Sequence, residues 1–563
     1  MNCRALSALV LLAVFLTCLS KTQGAIVKVK QGLVAGTTLT LRNGKVVHKF
    51  ARMPYALPPV GHRRFKDPEP IESWPGVWNV STDNALHCIQ FLHFPAGPYR
   101  VNGQEDCLYL SVYTPKLPQA GNQSDLLDVI VFIHGGAFMF GSGFHFKPIP
   151  LMEEHDMVYV ELDYRVGALG FLSTGDDVVP GNMGLKDQTQ ALRWIQENIA
   201  QFGGNPKSVT ITGSSAGGAS VQYQMLSPQA KGLFQRGISM SGTSLCPWAL
   251  TENLPEKTKL IANYLGCPVN SSEEMIECLR TRPAPVIADA VRLSQPFLFN
   301  PFSPWGPTVD SFAKNPFLPD FPAELIKQGK IANVPWLNSV TADEGLYPAA
   351  EFLASQTILK TIDANWTSLA PHFLDFNSTV PDNLKDKTAE KIRHKYLGDN
   401  PINLENYKAF VQIFSDRMFI ADAERASRLQ SKVSKSPVYF YYFNFRGRYS
   451  LTDYYEKKPH NFGVSHNDDT QYIITTFRNS FLQNTTEDEQ KTSVLLTSLW
   501  ASFAKIGKPH IPSWKPVTPN SFNYLQIDSG DNYRLVENAA EIGSRSFWDS
   551  LPFDEKNLWK PDA

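Results

Sequence analysis

Residues 208–221 read Ser208-Val209-Thr210-Ile211-Thr212-Gly213-Ser214-Ser215-Ala216-Gly217-Gly218-Ala219-Ser220-Val221, a β-branched run that passes directly into glycine, serine and alanine. A run rich in Val, Ile and Thr predicts a buried strand. The small residues after Gly217 predict a closely packed helix. Between them, Gly213-Ser214-Ser215-Ala216-Gly217 fits the G-x-S-x-G turn, a strained strand-to-helix corner that holds the serine Oγ at a helix N-terminus. The flanking glycines keep side chains from clashing in so tight a turn. Taken alone, the pentapeptide also fits a Gly/Ser turn in which Ser214 or Ser215 caps a helix.

The pattern extends outward from this corner. Val129-Ile130-Val131-Phe132-Ile133 is wholly apolar and ends in His134-Gly135-Gly136, and Met157-Val158-Tyr159-Val160-Glu161-Leu162 is a second such run. From Gln188 to Phe202 the spacing is helical: Ala191, Leu192, Ile195 and Ile199 share a face, with Trp194 close by. Strands alternating with helices predict an α/β fold with a large, mostly parallel central sheet flanked by helices. Gly237 to Met240, Pro335 to Val340, Pro437 to Phe443 and Phe522 to Ile527 are further strand candidates, and Lys491 to Ile506 reads as a late helix. Gln295 to Pro307, dense in proline and carrying Phe297, Phe299, Phe302 and Trp305, predicts a loop wall.

The chain has 563 residues, 43% hydrophobic and 12% aromatic, which excludes bulk disorder. At ~150 residues per domain this length fits three or four domains, or one large α/β domain with insertions. Lys plus Arg is 53 against 54 Asp plus Glu, without the basic excess of a nucleic-acid binder. Arg4, the apolar run Ala5 to Leu19 and the polar Ser20-Lys21-Thr22-Gln23-Gly24 predict a secretory signal peptide over residues 1–24. At about 15 apolar residues the run is shorter than the ~20 that cross a bilayer. The expectation is a soluble, secreted protein of residues 25–563, with no membrane anchor.

Beyond the leader lie Cys88, Cys107, Cys246, Cys267 and Cys278, an odd number that leaves one cysteine over if the others pair. Pairing within Cys88/Cys107 and within Cys267/Cys278 would close short loops, each worth about 3 kcal/mol by chain entropy. There is no CxxC motif and no histidine-rich cluster, so a zinc site has no support; catalysis by a serine nucleophile requires no metal and no cofactor. Asn79, Asn122, Asn270, Asn365, Asn377 and Asn484 begin N-x-S/T sequons, candidate glycosylation sites behind a signal peptide.

A serine nucleophile generates an oxyanion, and that charge needs donors already aimed at it. The N–H of Ala216, next after the serine, is one donor. The glycine-rich segment His134-Gly135-Gly136-Ala137-Phe138 can supply others. The general base should follow in the chain. His466, in the turn-rich Gly463-Val464-Ser465-His466-Asn467-Asp468-Asp469, is the favoured candidate, and His460 the runner-up. The acid should lie on a loop after a strand, and Thr341-Ala342-Asp343-Glu344-Gly345 follows Pro335 to Val340. Spacing alone does not choose between Asp343 and Glu344.

Taken together, these motifs resemble the type-B carboxylesterase/lipase (cholinesterase-like) family of α/β-hydrolases over nearly the whole mature chain. Glu105-Asp106-Cys107-Leu108-Tyr109-Leu110-Ser111-Val112 looks like one family signature, and Phe202-Gly203-Gly204-Asn205-Pro206 through Gly217 looks like the other. Asn182 to Gln188 and Ala191-Leu192-Arg193-Trp194 are also typical. The resemblance implies a Ser215–Glu344–His466 triad, because the family's acid immediately precedes glycine. It implies oxyanion donors at Gly136, Ala137 and Ala216, and disulfides Cys88–Cys107 and Cys267–Cys278. It places Trp248, in Leu245-Cys246-Pro247-Trp248, in the acyl pocket, and Ser241 as a hydroxyl supporting the acid. One departure is Asn467, where the family more often has glycine after the histidine.

The implied activity is hydrolysis of apolar carboxylic esters through an acyl-enzyme. The implied partner is a small-molecule ester, with no nucleic acid, the protein being a monomer or weak homodimer. Ile89 to Asp106 contains Phe91, Phe94 and Tyr99 but no tryptophan, which argues against a specific cholinesterase. Insect-type secreted esterases look most similar, including those that degrade juvenile hormone, pheromones or odorants. Ser214 stands where juvenile-hormone esterases usually have glutamine, which counts against that narrower role. A non-catalytic adhesion protein of the same family is the alternative from another class; such relatives lose triad residues, and all three are kept here.

Overall fold

The computed structural model describes residues 24–79, 87–93, 100–118, 125–454, 461–476 and 485–555. Residues 1–23 of the expected signal peptide, Asn122, Asn484, His460, Phe94 and Tyr99 lie outside the described residues. Eleven strands form one sheet: β1 (Thr37–Thr40), β2 (Val46–Pro54), β3 (Tyr109–Thr114), β4 (Leu127–Ile133), β5 (Val158–Leu162), β6 (Gly204–Ser214), β7 (Arg236–Met240), β8 (Trp336–Thr341), β9 (Val438–Phe443), β10 (Phe522–Ile527) and β11 (Tyr533–Ala539). Their spatial order is β11-β10-β9-β8-β7-β6-β4-β5-β3-β2-β1. Every neighbouring pair from β10 across to β5 is parallel. The pairs at either edge are antiparallel.

The continuous apolar runs in β4 and β5 follow from burial on both faces. Val129, Val131 and Ile133 pack into one core and Ile130 and Phe132 into another. Val158, Val160 and Leu162 likewise face the first core and Tyr159 the second. Each such side chain, withdrawn from water, contributes about 1.5–3 kcal/mol. A third core lies among helices, including α3 (Leu346–Leu353) and α4 (Tyr407–Ser415), with Trp548 and Phe553 closing it.

Two helices begin earlier than their apolar spacing predicts. α1 spans Met183–Asn198 and continues as a 3-10 turn to Phe202. α6 spans Glu487–Ile506 because Thr486 and Glu489 form a capping box upstream of the apolar face. Between these lie α2 (Ala216–Leu226) and α5 (Ala421–Val433). The aromatic-rich stretch 295–307 contains no helix or strand, and Phe299, Phe302 and Trp305 are buried in it. No helix among the described residues is long and apolar enough to cross a membrane. Asn79, Asn270, Asn365 and Asn377 are all exposed.

Candidate active site

β6 delivers Ser215 to the C-terminal edge of the sheet, and α2 begins at the next residue. Ser215 has φ 59° and ψ −125°, a strained conformation outside the regular regions. The glycines at both ends are forced by close approach. A Cβ on Gly213 would lie 2.4 Å from the Gly217 carbonyl group, and one on Gly217 would lie 2.0 Å from Ile133 O. The Ser215 N–H donates to Met240 O at 2.8 Å, tying the corner to β7.

Two strands over, Glu344 and His466 meet from positions 122 residues apart, with His466 Nδ1 2.5 Å from Glu344 Oε2. Both are buried, at 3% and 0% exposure. The other carboxylate oxygen of Glu344 accepts the Thr341 N–H at 2.8 Å. Ser241, expected to support the acid, makes no hydrogen bond to it among the described residues. The turn from Thr341 to Glu344 folds the carboxylate back onto its own backbone, so a peptide N–H fills that place. His466 Nε2 has no hydrogen-bond partner among the described residues. Its imidazole packs against the rings of Tyr347, stacked at 5.4 Å, and Phe419, tilted at 4.6 Å.

The loop carrying His466 is tied down by carboxyl groups. Asp343 accepts the Val464 N–H at 2.8 Å while its own N–H donates to Val464 O. Asp468 accepts from Ser465 N, Leu451 N and Ser450 Oγ at 2.7–2.9 Å. Asp469 accepts from the Tyr441 hydroxyl at 2.8 Å. Burial pushes Asp468 up to about 7 and Asp469 up to about 6. Asn467 has φ 66°, the left-handed conformation that glycine adopts freely and asparagine tolerates better than other residues. That is the physical basis of the Gly-to-Asn departure seen in the sequence.

The carbonyls of the glycine-rich loop after β4 are all engaged. Gly136 O accepts from Met139 N and Phe140 N, Ala137 O from Ser303 Oγ, and Phe138 O from Gly167 N. Gly135 O lies 2.8 Å from His134 Nδ1. Burial pushes His134 down to about 3, so the ring is neutral and carries its proton on Nδ1, toward that carbonyl. The N–H groups of Gly136 and Ala137 have no acceptor among the described residues.

Ser215, His466, Gly135, Gly136 and Ala137 open onto one cavity of about 380 Å³. Leu92, Phe140, Phe146, Tyr347 and Leu451 give it apolar walls, and His87, Asn102 and His145 are among its polar lining. Trp248 does not line it. At 1% exposure it packs among Phe138, Phe302 and Phe419, its Nε1–H donating to Met418 O, so the aromatics expected to wall a pocket instead fill the space. The disulfides Cys88–Cys107 and Cys267–Cys278 are both formed, and Cys246 is a buried free thiol. No cluster suited to a metal ion occurs among the described residues.

The arrangement can activate a hydroxyl, receive an oxyanion and hold an apolar ester, and comparison with known proteins agrees. Residues 23–548 match the model of the carboxylesterase family. The chain is 41% identical to venom carboxylesterase-6 of Apis mellifera over 94% of each chain. It is 42% identical to esterase FE4 of Myzus persicae, over 93% of this chain and 92% of that one. Juvenile hormone esterase from Manduca sexta, solved with OTFP covalently attached, superposes with a TM-score of 0.81 at 28% identity, covering 93% and 99% of the two chains.

Proposed function

The chain belongs to the carboxylesterase family and is a carboxylic ester hydrolase of α/β-hydrolase fold; from that premise we propose that Ser215, His466 and Glu344 are its catalytic triad. Gly136, Ala137 and Ala216 form the oxyanion hole in this reading. The observation that carries it is the buried Glu344–His466 pair, whose unpartnered Nε2 shares a cavity with the strained Ser215.

His466 Nε2 takes the Ser215 hydroxyl proton as Oγ attacks the ester carbonyl. Glu344 holds the proton on Nδ1 and stabilises the imidazolium that forms. The three N–H groups receive the charge on the carbonyl oxygen. His466 then passes its proton to the leaving alkoxide, and water, activated by the same nitrogen, releases the acid and restores the hydroxyl.

The apolar walls of the cavity support neutral, apolar esters as substrates. A narrower role on juvenile hormone draws support from the likeness to the juvenile hormone esterases of Manduca sexta and Tribolium castaneum, the latter 35% identical over 91% of this chain; one on a pheromone or an odorant rests on the sequence resemblance alone. The rest of the proposal is a secreted, glycosylated monomer or weak homodimer, with residues 1–24 removed and 25–563 forming one domain. The single sheet from Thr37 to Ala539 supports the one-domain reading, and the exposed sequons support glycosylation. The deciding experiment is organophosphate labelling with peptide mapping, beside a screen of p-nitrophenyl esters of increasing acyl length and of juvenile hormone. Label on Ser214 or Ser220, or none at all, would refute the triad.

A further inference from the structure

Gln90 lies on the short strand Gln90–Phe91, inside the loop closed by Cys88–Cys107. Its Oε1 accepts from Gly141 N at 2.8 Å. Its Nε2 donates to Gly141 O at 3.1 Å and to Cys88 O at 2.7 Å. The side chain is 4% exposed, and both its N–H donors are spent on backbone. Only this orientation of the amide satisfies all three partners.

Gly141 in turn backs directly onto the oxyanion loop. It has φ 123°, and a Cβ there would lie 2.3 Å from Gly135 O and 2.3 Å from His134 Nδ1. The Gly135 carbonyl and the Gly136 N–H belong to one planar peptide unit and point in opposite directions. Whatever fixes Gly135 O against His134 and Gly141 therefore fixes the direction of the Gly136 N–H, at a residue that lines the cavity.

We propose that Gln90 is a positioning residue for the oxyanion hole, holding Gly141 against the Gly135 carbonyl so that Gly136 and Ala137 keep their N–H groups on the developing charge. The inference rests on the oxyanion-hole reading above. It makes the Cys88–Cys107 loop part of the apparatus that stabilises the transition state, although that loop supplies no reacting group.

Removing one oxyanion donor outright costs about 10²–10³ in kcat. Loosening donors without removing them should cost less, about 10- to 100-fold. The test is Gln90→Met, which keeps length and bulk without the hydrogen bonds, and Gly141→Ala, which disturbs the same contact from its other side. Both are measured on the full-length protein, with active sites counted by organophosphate titration. The expected result is a fall in kcat per titrated site with KM nearly unchanged. Affinity for a trifluoromethyl ketone, whose adduct with serine carries the oxyanion, should fall in step with kcat/KM. If Gln90→Met does not accumulate as folded protein, Gln90→Asn, which keeps the amide but shortens its reach, should show the same signature in weaker form. Unchanged kcat per site overturns the proposal. So does a rise in KM at constant kcat, which would mark a lost substrate contact, or a fall in kcat with ketone affinity intact. Wild-type activity in Ser215→Ala would overturn the underlying reading instead, whatever the Gln90 variants do.

Discussion

The serine corner and the histidine loop face one cavity, but different forces hold them. The corner is a matter of backbone: the end of β6, the start of α2, two glycines with no room for a Cβ and one N–H bonded to β7. The histidine loop is held by side chains: Asp343 and Glu344 from more than a hundred residues earlier, and the loop's own buried Asp468 and Asp469, which bond Ser450, Leu451, Ser465 and Tyr441. Steric constraint does not titrate and tolerates almost no substitution. A loop held by carboxyl groups should respond to pH and should accept amide replacements where only a hydrogen-bond acceptor is needed.

The largest effect expected is at the corner. Ser215→Ala should lower kcat by about 10⁶-fold with the fold intact, leaving a remnant rate from the oxyanion donors. Circular dichroism and ester turnover on the same preparation check this. Next is Glu344→Gln, expected to lose about 10⁴-fold, because an amide can present its NH₂ to Nδ1 and favour the wrong tautomer. Asp343→Asn should lose less than about tenfold, since an amide oxygen can still accept the Val464 N–H. If Asp343→Asn were crippling and Glu344→Gln mild, the acid would be one residue away from where we place it.

A smaller effect separates the two regions by pH. Burial raises the folded-state values of Asp468 and Asp469 above those of the unfolded chain. Their neutral forms are therefore favoured on folding, and the stability tied to them is complete below about pH 4 and lost as pH rises through about 6 to 7. Asp468→Asn should flatten the decline in Tm between about pH 4 and 7, whereas Ser215→Ala should leave it unchanged. Equal slopes in all three proteins would show that the loop carboxyls do not govern this window. The smallest effect expected is at Cys246, whose thiol burial pushes up to about 11. Thiol reagents should leave native activity unchanged and titrate one thiol after denaturation without reductant.

Much of this molecule is legible in its sequence because the relevant physics is local or periodic. Seven strand candidates match the parallel block closely, since strands buried on both faces are dense in β-branched, aromatic and other apolar residues, as in Val129 to Ile133. The antiparallel strands β1 to β3 and β11 carry no such signal: β1 and β11 are largely exposed and mix polar and apolar residues, and β2 and β3, though mostly buried, interrupt their apolar residues with polar ones. The serine corner was legible from its glycines, whereas Asp343 and Glu344 could not be told apart by spacing, because both sit on the same loop. Only the tertiary structure decided that Glu344 reaches His466 while Asp343 turns to Val464. Only it decided that Thr341 N–H takes the place expected for Ser241, that Trp248 is buried behind the cavity wall, and that Gln90 grips Gly141. The sequence by itself determined the strands, the strained corner and the chemical inventory, since these depend on a few adjacent residues and their steric limits. Which carboxylate meets which imidazole depends on loop paths between residues more than a hundred positions apart, and that is settled only when the sheet brings them together.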